Sequence, residues 1–577
     1  MHDAKTLGLP VDGRGREAVS AIIRDLESER IDRRGALIAG IAAGLSFSSL
    51  SALGASRPDA APGDSADADA LPRAFDYVIV GAGSAGCVLA HRLSSAGDRR
   101  VLLLEAGGPA DLPEIAVPSA WPKLSGSAVD WRYVTTGQAD LGGRIVPYPR
   151  GKVLGGSSSI NALAYQHGHA SGYDRWVAAG CPGWGFLDLL PYFRRAETFS
   201  GGANDWHGGD GPQHVLTLQD APDRNPVAAA FLAAAVGQGF PFNADIGGER
   251  TTGAAWNQLS IAGARRDSTA TAYLDPIAGR PSLTVLTGAV AERLTIQAGR
   301  CTGVIFRHRG GMREVHAEHE VILSAGAVDS PKLLLLSGIG PSDHLRALGI
   351  PAAVDLASVG GNLQDHILIA GVAYEARRAV PRSHYNHGEG LLYVPQGPGP
   401  EILIMSVTLP FVLPSVGQAP DLAYVLTPCL MRPRSRGSVR LVSADPRDPP
   451  LIDPAFLTEP DDLDVMVEAV TLARDIGAAR ELADWRRREV FPGPGVTDRP
   501  GLRDFVRRAA NSFHHPVGTC RMGTDENAVV DLALRVRGTQ GLRVVDASVM
   551  PSLPQAMVNA ATIAIAERAA DLILGQK

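Results

Sequence analysis

Residues 75–86 read FDYVIVGAGSAG, and the order of residue types in them decides the fold. Phe75 to Val80 is an apolar run of strand length, and Cys87 to Leu93 continues with apolar residues at helical spacing, so the glycine-rich residues between form a strand-to-helix turn. Each glycine has a task in such a turn. Gly81 makes the bend, Gly83 lets the backbone approach a pyrophosphate, and Gly86 allows the helix to lie close to the strand. Ser84 stands at the start of the helix, whose N-terminal N–H groups face a phosphate. A second apolar run, Val101 to Leu104, ends at Glu105, where a carboxylate can accept hydrogen bonds from an adenosine ribose. A glycine turn alone is weak evidence, since such turns also occur for structural reasons. Strand, turn, helix, second strand and acid together predict a βαβ dinucleotide site, which serves NAD or FAD alike.

The rest of the composition agrees with a nucleotide-binding protein of two lobes. At 577 residues with 45% hydrophobic content the chain is too long for one ordinary domain. The net charge of −6 is small for that length, and no basic run is interleaved with aromatics, which argues against a nucleic-acid partner. Cys87, Cys181, Cys301, Cys429 and Cys520 are scattered without a CxxC pair or Cys/His spacing, so neither a metal site nor a disulfide scaffold is expected. No second dinucleotide fingerprint or internal repeat is present.

The choice between cofactors comes from longer segments. GKVLGGSSSINALAYQHG at 151–168 and GAVDSPKLLLLSGIG at 326–340 resemble the two signature segments of the glucose-methanol-choline (GMC) oxidoreductases. VGGNLQDH at 359–366, HPVGTCRMG at 515–523 and GLRVVDASVMP at 541–551 resemble further family segments, in the family's order. RGKVLGGSSSIN at 150–161 and NDWHGGDGP at 204–212 look nearest to the choline dehydrogenase-like branch. The resemblance spans Phe75 to Leu574. It implies an α/β fold: a doubly wound, Rossmann-like FAD-binding domain with an α+β substrate lobe built on an antiparallel sheet. It also implies FAD. Arg150, Gly155, Gly156, Ser157 and Asn161 are then expected beside the cofactor, Val290 at the adenine and Asp546 near the pyrophosphate, with helix capping as the alternative for Asp546. Ile160 stands where some relatives carry a flavin-linking histidine, so the FAD is expected to be non-covalent.

Hydride leaves an alkoxide far more readily than an alcohol, so a base must sit beside the flavin, and histidine suits that task near neutral pH. His515, fixed by the following Pro-Val-Gly-Thr-Cys, resembles the family's catalytic histidine, and His514 is set aside. Asn559 resembles the position of the second catalytic residue, where an amide can stabilise charge on the substrate oxygen; an N-cap of the last helix is the alternative. His207 and His366 are expected to shape the pocket roof and domain junction, and Cys520 to be a buried small hydrophobe. The reading is oxidation of a primary alcohol to an aldehyde, as dehydrogenase or oxidase. Alternatives on the same fold are a fatty-acid photodecarboxylase-like enzyme, against which His515 argues, and a hydroxynitrile lyase-like enzyme, which keeps a histidine and flavin and stays open. Few aromatics in 366–510 lean away from choline toward an aliphatic or aromatic alcohol. The alcohol, the electron acceptor (oxygen, a quinone or a mediator) and the oligomeric state stay open.

Domain boundaries are expected at 1–73 for a leader and linker, 74–365 for the FAD domain interrupted near 161–280 by substrate-lobe segments, 366–519 for the substrate lobe and 520–577 for a return to the FAD domain. Arg33-Arg34 followed by the uncharged run from Gly35 to Gly54 reads as a twin-arginine signal over 1–55, cleaved near Ala55. A periplasmic enzyme with no membrane span after cleavage would follow; a plain N-terminal extension on a cytoplasmic protein is the alternative.

Overall fold

The structure, a computed structural model, describes residues 71–575 apart from 96, 396 and 398, so the leader expectations lie outside the described residues. Among the described residues no helix is long and apolar enough to cross a membrane.

The opening stretch folds as its residue pattern requires. Ala74–Val80 is a strand, Ser84–Ser94 a helix and Val101–Leu104 a second, fully buried strand. Burial of all four residues of VLLL marks a strand covered on both faces, as in parallel sheets of α/β proteins. The parallel sheet runs Leu283–Leu286, Val101–Leu104, Ala74–Val80, Gly311–Leu323 and Leu542–Val544. Gly311–Leu323 is long enough to serve a third partner besides its two parallel neighbours. Its C-terminal half pairs in parallel with the first strand, and its N-terminal half pairs antiparallel with Arg300–His308, which in turn pairs with Val290–Gln297.

A second sheet is antiparallel throughout. Its order is Arg486–Phe491, Val372–Ala376, Ala423–Leu430, Ile402–Val407, Gly390–Tyr393 and Gly253–Trp256, and Ile367–Ile369 joins Ala423–Leu430 to Ala510–Ser512. The apolar runs EILIMSVTL and DLAYVL supply two of these strands. All eight residues of Ala423–Leu430 are buried, because residues of one face pack with the helix Pro460–Ala478 and the other face turns toward the candidate site.

The final helix, Val558–Leu574, returns to lie along Ser84–Ser94. A buried carboxylate fastens it. Glu567 accepts hydrogen bonds from Arg92 at 2.8 and 2.9 Å, Arg195 at 2.9 Å and the Tyr273 hydroxyl at 2.9 Å. These bonds tie the chain's C-terminal end to its first βαβ unit and to the segments between.

A second charged cluster braces the segments around residues 167–258. The ligand atoms of His167, Glu197 and His207 lie within 4.8 Å of one another, so the structure assembles metal-ligand chemistry that no sequence spacing announces. Hydrogen bonds already occupy it. Glu197 Oε2 meets His167 Nε2 at 3.0 Å, Glu197 Oε1 meets His207 Nδ1 at 2.8 Å, and His207 Nε2 meets Asp245 at 3.1 Å. Burial opposes charge on His207, yet hydrogen bonds to Asp245 and Glu197 outweigh it and hold the imidazolium up to about 9. Burial likewise opposes the Glu197 carboxylate, but the two histidines bring it down to about 2.

The sign of the resulting pH dependence is fixed. The raised His207 contributes stability that is complete below its ordinary value of 6.5 and is lost as pH climbs through about 9. The depressed Glu197 contributes stability that is complete above 4.5 and is lost as pH falls through about 2. Thermal unfolding of the wild type and of His207→Gln, measured from pH 6.5 to 9, is expected to show a Tm gap that narrows as pH rises; a constant gap would remove the charged pair from the stability of this region.

Candidate functional site

Glycine geometry separates structural positions from ligand-facing ones. A Cβ on Gly81, whose φ is +99°, would come within 2.7 Å of Ser324 O, and one on Gly86 within 1.9 Å of Gly81 O. Both glycines are required by the protein itself. A Cβ on Gly83 would meet nothing nearer than Ser324 O at 3.8 Å, so the protein leaves the space beside Gly83 open. The second glycine loop closes against this turn: Gly155 N–H donates to Ala82 O at 2.8 Å, and a Cβ on Gly156 would stand 2.7 Å from Gly83 Cα. Glu105 lies at the end of its strand, accepting from the N–H groups of Ala82 at 2.9 Å and Gly107 at 2.7 Å. Burial pushes its carboxyl up to about 7 against those two bonds. Ala289 N–H donates to Glu105 O at 2.8 Å, which sets Val290 beside the acid.

The loop after Gly156 carries an unanticipated cation. Ser157 Oγ accepts from Gly151 N–H at 3.2 Å, and Asn161 Oδ1 accepts from Leu163 N–H at 3.0 Å and from Arg266 at 2.8 Å. Arg266 is buried without a carboxylate partner; it donates to the carbonyls of Ile115 and Ser158, and its Nη2 has no partner at all. Burial brings this guanidinium down to about 9. A desolvated cation with a spare N–H beside an open glycine cradle suits an anionic or carbonyl oxygen of a bound group.

At the other end of the site, four distant segments converge on His515. Its backbone N–H donates to Asp365 Oδ1 at 2.8 Å, while Ser512 Oγ donates to Asp365 Oδ2 at 2.5 Å. Its ring Nδ1 lies 3.0 Å from His366 Nδ1, and His366 Nε2 lies 3.2 Å from the Met431 carbonyl. The tautomers follow from donor and acceptor rules. A carbonyl only accepts, so His366 Nε2 carries a proton; burial holds His366 down to about 3, so the ring is neutral and its Nδ1 is bare. His515 Nδ1 must then donate, and its Nε2 keeps the lone pair of a base. Burial first, then the nearby His366, His514 and Arg150, hold the His515 imidazole well below its ordinary range, so it is neutral near pH 7.

Asn559 is brought up by the last helix. Its Oδ1 accepts from Ser84 Oγ at 2.6 Å, which leaves the two N–H bonds of its amide for another partner. Met557 is the N-cap of that helix, so Asn559 sits inside it and does not cap it.

Family models labelled GMC oxidoreductase match residues 75–368 with their N-terminal part and residues 433–566 with their C-terminal part. The chain belongs to the GMC oxidoreductase family. It is 39% identical to mitochondrial choline dehydrogenase of Mus musculus over 87% of this chain and 89% of that one. It is 38% identical to an alcohol dehydrogenase [acceptor] of Pseudomonas putida, over 87% and 96% of the two chains. Among solved structures, pyridoxine 4-oxidase from Mesorbium loti superposes with a TM-score of 0.84 at 40% identity, covering 87% of this chain and 100% of that one. The protein is thus an FAD-dependent alcohol oxidoreductase on the Rossmann-like FAD fold.

The residues present fit FAD. The open space at Gly83, the Gly155–Gly156 loop, the buried Glu105 carboxylate and the spare N–H of Arg266 could hold its phosphates, ribose and carbonyl groups, and Ile160 offers no atom for a covalent link. Two expected contacts have other work. The Asp546 carboxylate accepts from Gly326 N–H, Ser330 Oγ and Ser548 N–H, so it caps two neighbouring turns. Arg150 donates to the His514 carbonyl at 2.6 Å and so supports the loop of His515. His366 lies against the candidate base and not merely at a domain junction, which corrects the expectation for it. Cys520 is fully buried and its thiol is pushed well up by that burial. Because the protein leaves Gly83 free of its own atoms, Gly83→Val is expected to fold yet purify without flavin, measured as the flavin-to-protein absorbance ratio; full occupancy would contradict a pyrophosphate at this turn.

Proposed function

We propose that this enzyme oxidises a primary alcohol to its aldehyde, with His515 as the base and Asn559 as the hydrogen-bond donor to the substrate oxygen. The hydrogen-bond chain from the Met431 carbonyl through His366 to His515 carries the reading, since it presents a neutral imidazole with its Nε2 lone pair free. When bound, FAD supplies the acceptor for hydride from the carbinol carbon. His515 Nε2 takes the hydroxyl proton, and the Asn559 amide stabilises the negative charge that develops on oxygen. The new imidazolium stands near Arg150 in a poorly hydrated pocket, so it holds the proton weakly and passes it on with turnover. The names of the relatives, which act on choline, pyridoxine and alcohols, support the alcohol as substrate.

Anaerobic stopped-flow reduction of the flavin tests the assignment. His515→Ala is expected to keep FAD and to lose about two to four orders of magnitude in the reduction rate, the usual reach of general-base catalysis. His366→Leu is expected to lose about tenfold, the worth of one hydrogen bond that selects the tautomer. Because His515 is held below 6.5, the wild-type rate is expected not to fall between pH 8 and pH 6.5. A near-wild-type rate in His515→Ala would remove His515 from the mechanism.

A further inference from the structure

Two guanidinium groups are buried along the candidate site, and the acids around them set them apart. Arg150 feels the carboxylates of Asp365, Asp130 and Asp329. Arg266, 4% exposed, feels none, and burial alone brings it down. Asp267, next in the chain, is turned to other work: its carboxylate accepts from the backbone N–H of His214 at 2.7 Å and from Gln213 at 3.2 Å.

The chain builds the position of Arg266 with care. Arg265–Arg266 pairs with Ile261–Ala262 in a short hairpin, and three residues on, the backbone N–H and hydroxyl of Thr269 both meet Ser158 Oγ at 3.0 Å. The guanidinium is thereby laid against the loop that follows the second glycine turn. Its Nε donates to Ile115 O at 2.8 Å, and its Nη1 donates to Ser158 O at 3.1 Å and to Asn161 Oδ1 at 2.8 Å. All three acceptors are neutral, and Nη2 is buried with no partner. A neutral donor could hold such acceptors without the cost of taking a cation out of water, so the charge itself has a use beyond them.

The reaction supplies that use. The carbinol carbon passes two electrons and a proton to the flavin as hydride, and His515 Nε2 takes the hydroxyl proton. The alcohol leaves as a neutral aldehyde, so the flavin is one negative charge richer. Resting on the alcohol oxidation proposed above, we propose that Arg266 is the counter-cation of the reduced flavin, its charge and its free Nη2–H stabilising the ring system more after hydride arrives than before. The FAD pyrophosphate is the competing counter-charge, but it would find its donors in the N–H groups of the Gly83 turn and at the start of the helix Ser84–Ser94.

The test is the midpoint potential of the FAD-loaded protein, titrated anaerobically against reference dyes at pH 7 with no alcohol present. A hydrogen bond to a charged group is worth about tenfold to a hundredfold in an equilibrium constant, which is about 30 to 60 mV for a two-electron couple. The wild-type flavin is expected to be easier to reduce than free FAD by about that factor or more. Arg266→Met is expected to lose the advantage, and Arg266→Lys, which keeps the charge but gives up the fork of hydrogen bonds, to retain most of it. An unchanged midpoint in Arg266→Met, or an equal fall in both variants, overturns the proposal. Flavin lost from Arg266→Met, with an unchanged midpoint in the fraction retained, would give the cation to the pyrophosphate and overturn it as well. Should Arg266→Met hold no FAD at all, the wild type decides: a midpoint at or below that of free FAD contradicts a cation at the reduced ring. Since the titration contains no alcohol, these outcomes leave alcohol oxidation untouched; a wild-type flavin that dyes reduce and no alcohol does would overturn that reading instead.

Discussion

Two glycine turns in contact set the conditions for everything else in this molecule. The Gly155–Gly156 loop hydrogen-bonds to Ala82 and lies so close to Gly83 that a methyl group on Gly156 would collide with it. That approach joins the loop leading to Asn161 to the first βαβ unit and leaves an open cradle at Gly83. The last helix must then return to the same unit, because its Asn559 finds its partner in Ser84. Glu567, buried among Arg92, Arg195 and Tyr273, fastens it there.

The catalytic end obeys a different constraint, that of neutrality. A carboxylate partner would hold His515 as an imidazolium and spoil it as a base at neutral pH. A second imidazole fixes the tautomer without adding charge, and the Met431 carbonyl fixes the second imidazole in turn. The acid in this neighbourhood, Asp365, is directed to the backbone N–H of His515 and to Ser512, and burial raises it to about 6. It therefore orients the loop and leaves the ring uncharged. Elsewhere the protein makes the opposite choice: His207, between Glu197 and Asp245, is held charged. The same side chain serves as base or as brace according to whether its ring meets an imidazole or a carboxylate.

What the sequence disclosed was local or carried by long motifs. The strand, turn, helix and second strand of residues 74–104 are legible because periodicity and glycine position act over a few residues, and Glu105 follows from spacing. His515 and Asn559 are picked out by their motifs, not by any property of histidine or asparagine. The pairing of His366 with His515 was not legible, since it crosses 149 positions and depends on Ile367–Ile369 lying beside Ala510–Ser512. NLQDH offered the signal, a histidine following an acid, but gave no direction for its ring. Arg266 was hidden for a related reason: an arginine in a polar run reads as a surface residue until the fold buries it. Asp546 shows the reverse, a residue whose capping alternative describes its side chain.

The central claim is that a neutral His515, aligned by His366, deprotonates an alcohol while its carbinol hydrogen leaves as hydride. The most direct measurement is anaerobic bleaching of the flavin's long-wavelength absorbance by an aryl methanol, compared with the same alcohol deuterated at the carbinol carbon. The account predicts bleaching that slows on deuteration at every pH from 6.5 to 8. A flavin that the alcohol leaves oxidised, or that bleaches at the same rate with either isotope even in His515→Ala, would contradict it.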